Sequence, residues 1–224
     1  MWYLIIGCSV LCLGVCLPMY RCNFKKHRIF ATVFKSLGTL CAMAIALVAA
    51  VKLDSRAYAC AGAILLCAIS DFVINCNLLA GIVSFSLSHF GIIAWLLIMN
   101  PLASPVISVM HIICFVGFCL ISVLIIISQR KLIDKKLIPA ICIYSVLLSA
   151  MAACAVAGGV RLHSLAGILC AVGGGLFYIS DVMVMRTIFS PHNETLEVVL
   201  MILYYCAQLL FGSSCLLMYS IPVL

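Results

Sequence analysis

The chain has 224 residues, 67% of them hydrophobic and only 8% charged, with a mean hydropathy of +1.35. Soluble domains carry about 25% charged and 45–50% apolar residues, so this composition excludes a water-soluble fold and predicts an integral, multi-pass membrane protein. The net charge of +7 lies in short loops without aromatic interleaving, which assigns it to topology and lipid headgroups and predicts no nucleic-acid partner.

A chain of this length holds about eight spans of roughly 20 residues and leaves no room for a soluble domain. The apolar runs predict helices over 2–20, 30–50, 57–75, 82–99, 105–127, 137–157, 163–187 and 195–219. The fold class is therefore all-α: a polytopic membrane protein with eight transmembrane helices, read as one membrane domain over 1–224. Helix 1 opens MWYLIIGC without a basic segment, so no cleaved signal peptide is expected. The Ile5-Ile6-Gly7-Cys8 run lies too close to Met1 to be a lipoprotein cleavage box. Cys8, Cys12 and Cys16 repeat along one face of this helix. None of the fifteen cysteines forms a C-x-x-C pair, so they read as small apolar packing residues in a reducing environment.

Loop charges set the orientation. Arg21, Lys25, Lys26 and Arg28 follow helix 1, Arg130, Lys131, Lys135 and Lys136 follow helix 5, and Arg186 precedes loop 7; Lys52, Arg56 and Arg161 oppose them. The positive-inside rule then predicts both termini outside. Pro105 and Pro139 fall near helix starts, where a missing N–H costs little. Asn193 reads as the cap of helix 8, with Glu194 and Glu197 complementing its dipole. The sequon that Asn193 begins would lie in the cytoplasm.

Two segments resemble each other at an offset of 110. CAGAILLCAISDFVI begins at Cys60 and CAVGGGLFYISDVMV at Cys170, aligning Ser70-Asp71 with Ser180-Asp181. Lys25-Lys26 aligns with Lys135-Lys136 at the same offset. This predicts a parallel 4+4 internal repeat, with halves of about 1–100 and 105–219, that puts the two aspartates at equal depth.

An ionisable side chain inside a span is expensive and marks a functional candidate. Lys35, Asp71, His89, Tyr144, Asp181, Tyr204, Tyr205 and Gln208 all fall in the predicted cytoplasmic half or near the midplane. Each has a plainer role: Lys35 snorkels, an aspartate caps a neighbouring helix, His89 and Gln208 join helices, and the tyrosines pack. Eight such residues from six helices, converging on one leaflet, point to a site. In low dielectric Lys35 would keep one carboxylate ionised while the other stays a neutral acid, the equipment of general acid–base hydrolysis. A metal held by Asp71, Asp181 and His89 is weakly signalled, with one imidazole and two hard oxygens; the expected site has no metal and no cofactor. No G-x-S-x-G or H-E-x-x-H motif occurs.

In these residues the chain resembles the YhhN family, the lysoplasmalogenase-like integral membrane proteins, over helices 2 to 8. The matching series is Lys35, Ser70-Asp71, Phe85 with His89, Pro139 with Tyr144, Phe177 with Ser180-Asp181 and Phe189, and Tyr204-Tyr205 with Gln208. Ser70 stands where the family pattern has glycine, Ser36 where proline often follows the lysine, and Ile92 where a tyrosine often follows the histidine. The resemblance implies hydrolysis of the vinyl-ether bond of a lysophospholipid, giving a fatty aldehyde and a glycerophospho-base. Asp71, Asp181, Lys35 and His89 are the expected catalytic residues; Ser180, Tyr144, Tyr204, Tyr205 and Gln208 are expected to face the substrate. The alternative is a transporter or channel using the buried Asp, Lys and His residues as a relay, for which Gly173-Gly174-Gly175 is a candidate helix break.

Overall fold

A computed structural model describes residues 1–24, 26–99, 108–189 and 193–220. Of these, 89% are helical, and none lies in a strand. Eight helices are long and apolar enough to cross a membrane: α1 Trp2–Asn23, α2 Arg28–Lys52, α3 Ala57–Cys76, α4 Leu78–Met99, α5 Val109–Gln129, α6 Ile138–Arg161, α7 Leu165–Phe189 and α8 Glu194–Ser220. Inside α1 the segment Cys12–Cys16 is π-helical. Pro18 follows it, lacking an N–H and pressing on the preceding turn, and the wider turn accommodates both effects.

Local chemistry sets the ends. α4 starts at Leu78, four residues before the predicted 82, because Asn77 accepts the Ala80 N–H on its Oδ1 at 3.0 Å and starts a new helix one residue after α3 ends. The end of α3 and the start of α4 are thereby held level. Asn193 accepts the Leu196 N–H at 3.1 Å, the expected cap, with Glu194 and Glu197 in the first turn of α8. α5 begins with a Ser108–His111 capping box; Pro105 and the predicted start at 105, like Lys25, lie outside the described residues.

Six helices close into a ring, each packed on the next: α2 on α3, α3 on α4, α4 on α6, α6 on α7, α7 on α8, and α8 back on α2. α1 packs outside α2, and α5 outside α6. The most apolar stretches of α1 and α5 are only 11% buried, against 39–67% in the other six, so these two are peripheral and lipid-facing. Small residues line the close contacts of the ring, as expected where helices associate without a hydrophobic drive. Gly159 and Gly167 bring α6 and α7 together so closely that a Cβ on Gly159 would stand 2.4 Å from the Gly167 carbonyl. Large buried side chains, among them Trp95, Phe177, Tyr205 and Phe211, fill the middle. All fifteen cysteines are free, and Cys12 and Cys16 are buried.

The glycine triplet is not a break. α7 runs unbroken from Leu165 to Phe189, and Gly174 abuts Ala155 so tightly that a Cβ would meet it at 2.4 Å. Its absent side chains serve helix packing.

Candidate functional site

The two aspartates lie near the ends of α3 and α7 and line one cleft. Lys35, Tyr144, Ser180 and Tyr204 line it with them, and the rest of the wall is apolar, including Ile82, Phe85, Ile141, Met185 and Phe189. Polar groups gather at one place along an oily slot.

Asp71 is fully buried, with an ammonium beside one oxygen and two hydroxyls on the other. Lys35 Nζ stands 3.1 Å from Oδ1, and the hydroxyls of Thr39 and Tyr204 both donate to Oδ2 at 2.8 Å. The lysine also lies 5.6 Å over the Tyr204 ring. One ammonium and two hydroxyls thus converge on this carboxyl group. Lys35 and Thr39 are four residues apart on α2 and so share a face.

Asp181 is held differently. Tyr144 donates its hydroxyl to Oδ2, and His89 Nε2 lies 3.3 Å from the same oxygen. Among the described residues no hydrogen bond reaches its Oδ1. His89 is completely buried, with Tyr144 and Phe177 each 5.2 Å away between ring centroids. It supports Asp181 from behind and does not line the cleft. Ser180 Oγ is buried without a hydrogen-bond partner beside Asp181.

Two expected substrate-facing residues lie elsewhere. The Tyr205 hydroxyl is 3.2 Å from the carbonyls of both Phe34 and Lys35. Its ring occupies the space a Cβ on Gly38 would take, at 2.6 Å, so it fixes the α2 backbone that carries Lys35. Gln208 is fully buried one turn beyond Tyr204, both amide atoms lacking a hydrogen-bond partner, and does not line the cleft. Thr39, by contrast, was not among the expected residues and binds Asp71 directly.

Among the described residues no three His, Cys, Asp or Glu side chains gather to hold a metal. A further ion pair, Arg56 with Asp54 at 2.7 Å, sits in the α2–α3 loop at the other end; hydrogen bonds from Arg56 hold that carboxyl below the usual carboxylate range. It is solvated and plays no part in the cleft.

The sequence model of the YhhN family matches residues 30–215. The chain belongs to the YhhN family. That match runs from the first turn of α2 into the last turns of α8, so it takes in the six-helix ring and both aspartates and omits α1. Neither a curated protein nor a solved structure matches the chain.

Proposed function

We propose that this YhhN protein is an intramembrane hydrolase of the lysoplasmalogenase type, cleaving the vinyl-ether bond of a lysophospholipid. The observation that carries the reading is the unequal pair of carboxylates on one cleft: Asp71 paired with Lys35 and accepting two hydroxyls, Asp181 with a tyrosine hydroxyl and an imidazole on Oδ2 and no ammonium. Asp181 is the acid. With its proton on Oδ1, Oδ2 accepts the Tyr144 hydroxyl, and Oδ1 delivers the proton to the outer vinyl carbon of a chain lying in the apolar slot. The inner carbon and ether oxygen then share an oxocarbenium charge, which the ionised Asp71 stabilises. Tyr144 and His89 steady the new Asp181 carboxylate. Water adds to the cationic carbon and its proton returns to Asp181. The hemiacetal so formed splits into a fatty aldehyde and the glycerol hydroxyl of the glycerophospho-base.

The same reading takes the chain as one membrane domain of two halves, α1–α4 and α5–α8, related by a pseudo-two-fold axis. Exchanging the halves maps α2–α3 onto α6–α7, α3–α4 onto α7–α8, and α4–α6 onto α8–α2, which are the packed pairs of the ring. It also maps the helices that serve Asp71, α2 and α8, onto those that serve Asp181, α6 and α4. The cleft would open to the cytoplasmic leaflet, on the side of Arg21, Lys26, Arg130 and Lys131.

The test is product release by the purified protein in detergent. A lysoplasmalogen is expected to give aldehyde while the matching saturated ether gives nothing, and Asp181→Asn is expected to lower the rate about 100–10,000-fold, the worth of a general acid. Near-normal turnover by folded Asp181→Asn would end this mechanism, and fatty acid from an ester lysolipid would keep the hydrolase but change its bond.

A further inference from the structure

Five seams of the six-helix ring carry a close rung between their helices. Ser36 of α2 donates to the Ala68 carbonyl of α3 at 2.9 Å. A Cβ on Gly81 of α4 would stand 2.5 Å from the Ile74 backbone of α3. α6 and α7 meet at Gly159 and Gly167 and through the Tyr144–Asp181 hydrogen bond. Ser214 of α8 donates to the Ala166 carbonyl of α7 at 2.8 Å, and the Tyr205 hydroxyl ties α8 to the α2 backbone. The sixth seam differs. Among the described residues no hydrogen bond or ion pair joins α4 to α6; the rings of His89 and Tyr144 meet there, 5.2 Å apart.

The two outer helices sharpen this difference. α1 packs on α2 and also reaches α8, Tyr20 donating its hydroxyl to Glu197 at 2.9 Å, so it covers the α2–α8 seam from outside. In the proposed two-half arrangement α5 is its counterpart and would lie over the α4–α6 seam. Instead α5 packs on α6 and α7, where Ser122 meets the Tyr178 hydroxyl at 2.8 Å. Among the described residues α5 does not pack on α4. The α4–α6 seam is left to face lipid, with Leu87 and Phe90 exposed on one helix and Ile143 and Val146 on the other.

Directly inside this seam lies the cleft. Leu78, Ile82 and Phe85 follow one another on a single face of α4 and line it, with Ile141 and Tyr144 of α6. Gly81 and Gly91 turn the next face of α4 to α3, and Val83, Leu87 and Phe90 turn another to lipid. At 100° per residue, Ser86 falls between the cleft face and the lipid face, on the side away from α3. This half-buried, small residue therefore sits in the seam. We propose that the α4–α6 seam is a lateral portal, passing Ser86, through which the hydrocarbon chain of a single-chain lipid slides from the bilayer to Asp181. The proposal rests on the hydrolase reading and deepens it by naming the route of entry. A chain entering sideways stays in apolar surroundings, whereas one entering through the polar end exposes every methylene to water first. Parts of a fold that must open are drawn from its least-tied elements, and this is the seam without a polar rung.

A portal governs rates more than affinity, and that separates it from the site. The full chain in phosphatidylcholine vesicles is mixed with a saturated long-chain alkylglycerophosphocholine that carries a diazirine in its chain and holds no vinyl ether. Photolabelling of the cleft peptides is followed over time, and escape is followed by chasing with unlabelled lipid. Ser86→Trp is expected to slow both entry and escape about tenfold by overfilling the seam, with final labelling little changed. Ser86→Leu should slow both by less, and serves where the larger ring prevents folding. Leu87→Trp, on the lipid face, should leave both rates as they are. A water-soluble short-chain version of the probe, free to enter from the polar end, should be slowed by neither Ser86 variant. Unchanged long-chain rates in both Ser86 variants, equal slowing by Leu87→Trp, or equal slowing of the short-chain probe would overturn the portal. Aldehyde release from the alkenyl lipid is measured alongside. Gated entry without aldehyde would keep the portal and sink the hydrolase; aldehyde with ungated entry would do the reverse.

Discussion

Replacing Lys35 with methionine removes the cation from a carboxylate with no solvent contact. Breaking a buried pair by deleting one partner costs about 3–5 kcal/mol, because the other charge is left uncompensated. Asp71 would keep two hydroxyl donors at 2.8 Å, which puts Lys35→Met near the lower end, about 3 kcal/mol. For a chain of this length that corresponds to a melting temperature lower by about 6–12 °C. Asp71→Asn is not its mirror image. The Lys35 side chain is 15% exposed and also lines a second, more polar pocket with Thr32 and Asn75, so its ammonium can turn outward, and the loss is about 1 kcal/mol. The double variant, with neither charge, should melt within a few degrees of the parent, since a buried pair replaced by uncharged groups is often near neutral. All three are expected to lose aldehyde release. The assay is a fluorescence melt in detergent with the activity measured on the same samples. If Asp71→Asn destabilised as much as Lys35→Met, or if the double variant summed both losses, the assigned pairing would be wrong.

Gly159→Ala is expected to cost about 1–3 kcal/mol by forcing α6 and α7 apart, since its Cβ would meet α7 backbone at 2.4 and 2.9 Å. Gly62→Ala, with nothing within 4 Å of its added Cβ, should be neutral or stabilise by up to about 1 kcal/mol; equal melting shifts would refute the close α6–α7 approach. Cys22 and Cys76 are exposed at the ends of α1 and α3, so a membrane-impermeant maleimide should label them in lysed but not in intact cells, as read by peptide mass spectrometry. Labelling in intact cells would invert the proposed orientation.

The spans were legible because hydropathy over twenty residues is a strong signal, and the charged candidates Lys35, Asp71 and Asp181 because a charge inside such a run is costly enough to stand out. Partners were not legible. An amino-acid string does not say that Lys35 serves Asp71 and His89 serves Asp181, because that follows from which helices neighbour which in the ring. Adjacent residues on a helix point about 100° apart, so Tyr204 and Tyr205 were never both going to face one cleft; the sequence held that information and only a neighbour could say which one did. Thr39 escaped notice because a hydroxyl can bond its own helix and so costs little in an apolar span, although its four-residue spacing from Lys35 was available. On the proposed two-half reading, the Ser-Asp segment that recurs at an offset of 110 accounts for there being two carboxylates. Their difference comes from the helices around them: one half contributes Lys35 and Thr39 from the preceding helix, the other Tyr144, while Tyr204 and His89 cross between halves. Duplication alone would give two equivalent acids. In the proposed mechanism, the different partners on those helices are what let one stay charged while the other gives up a proton.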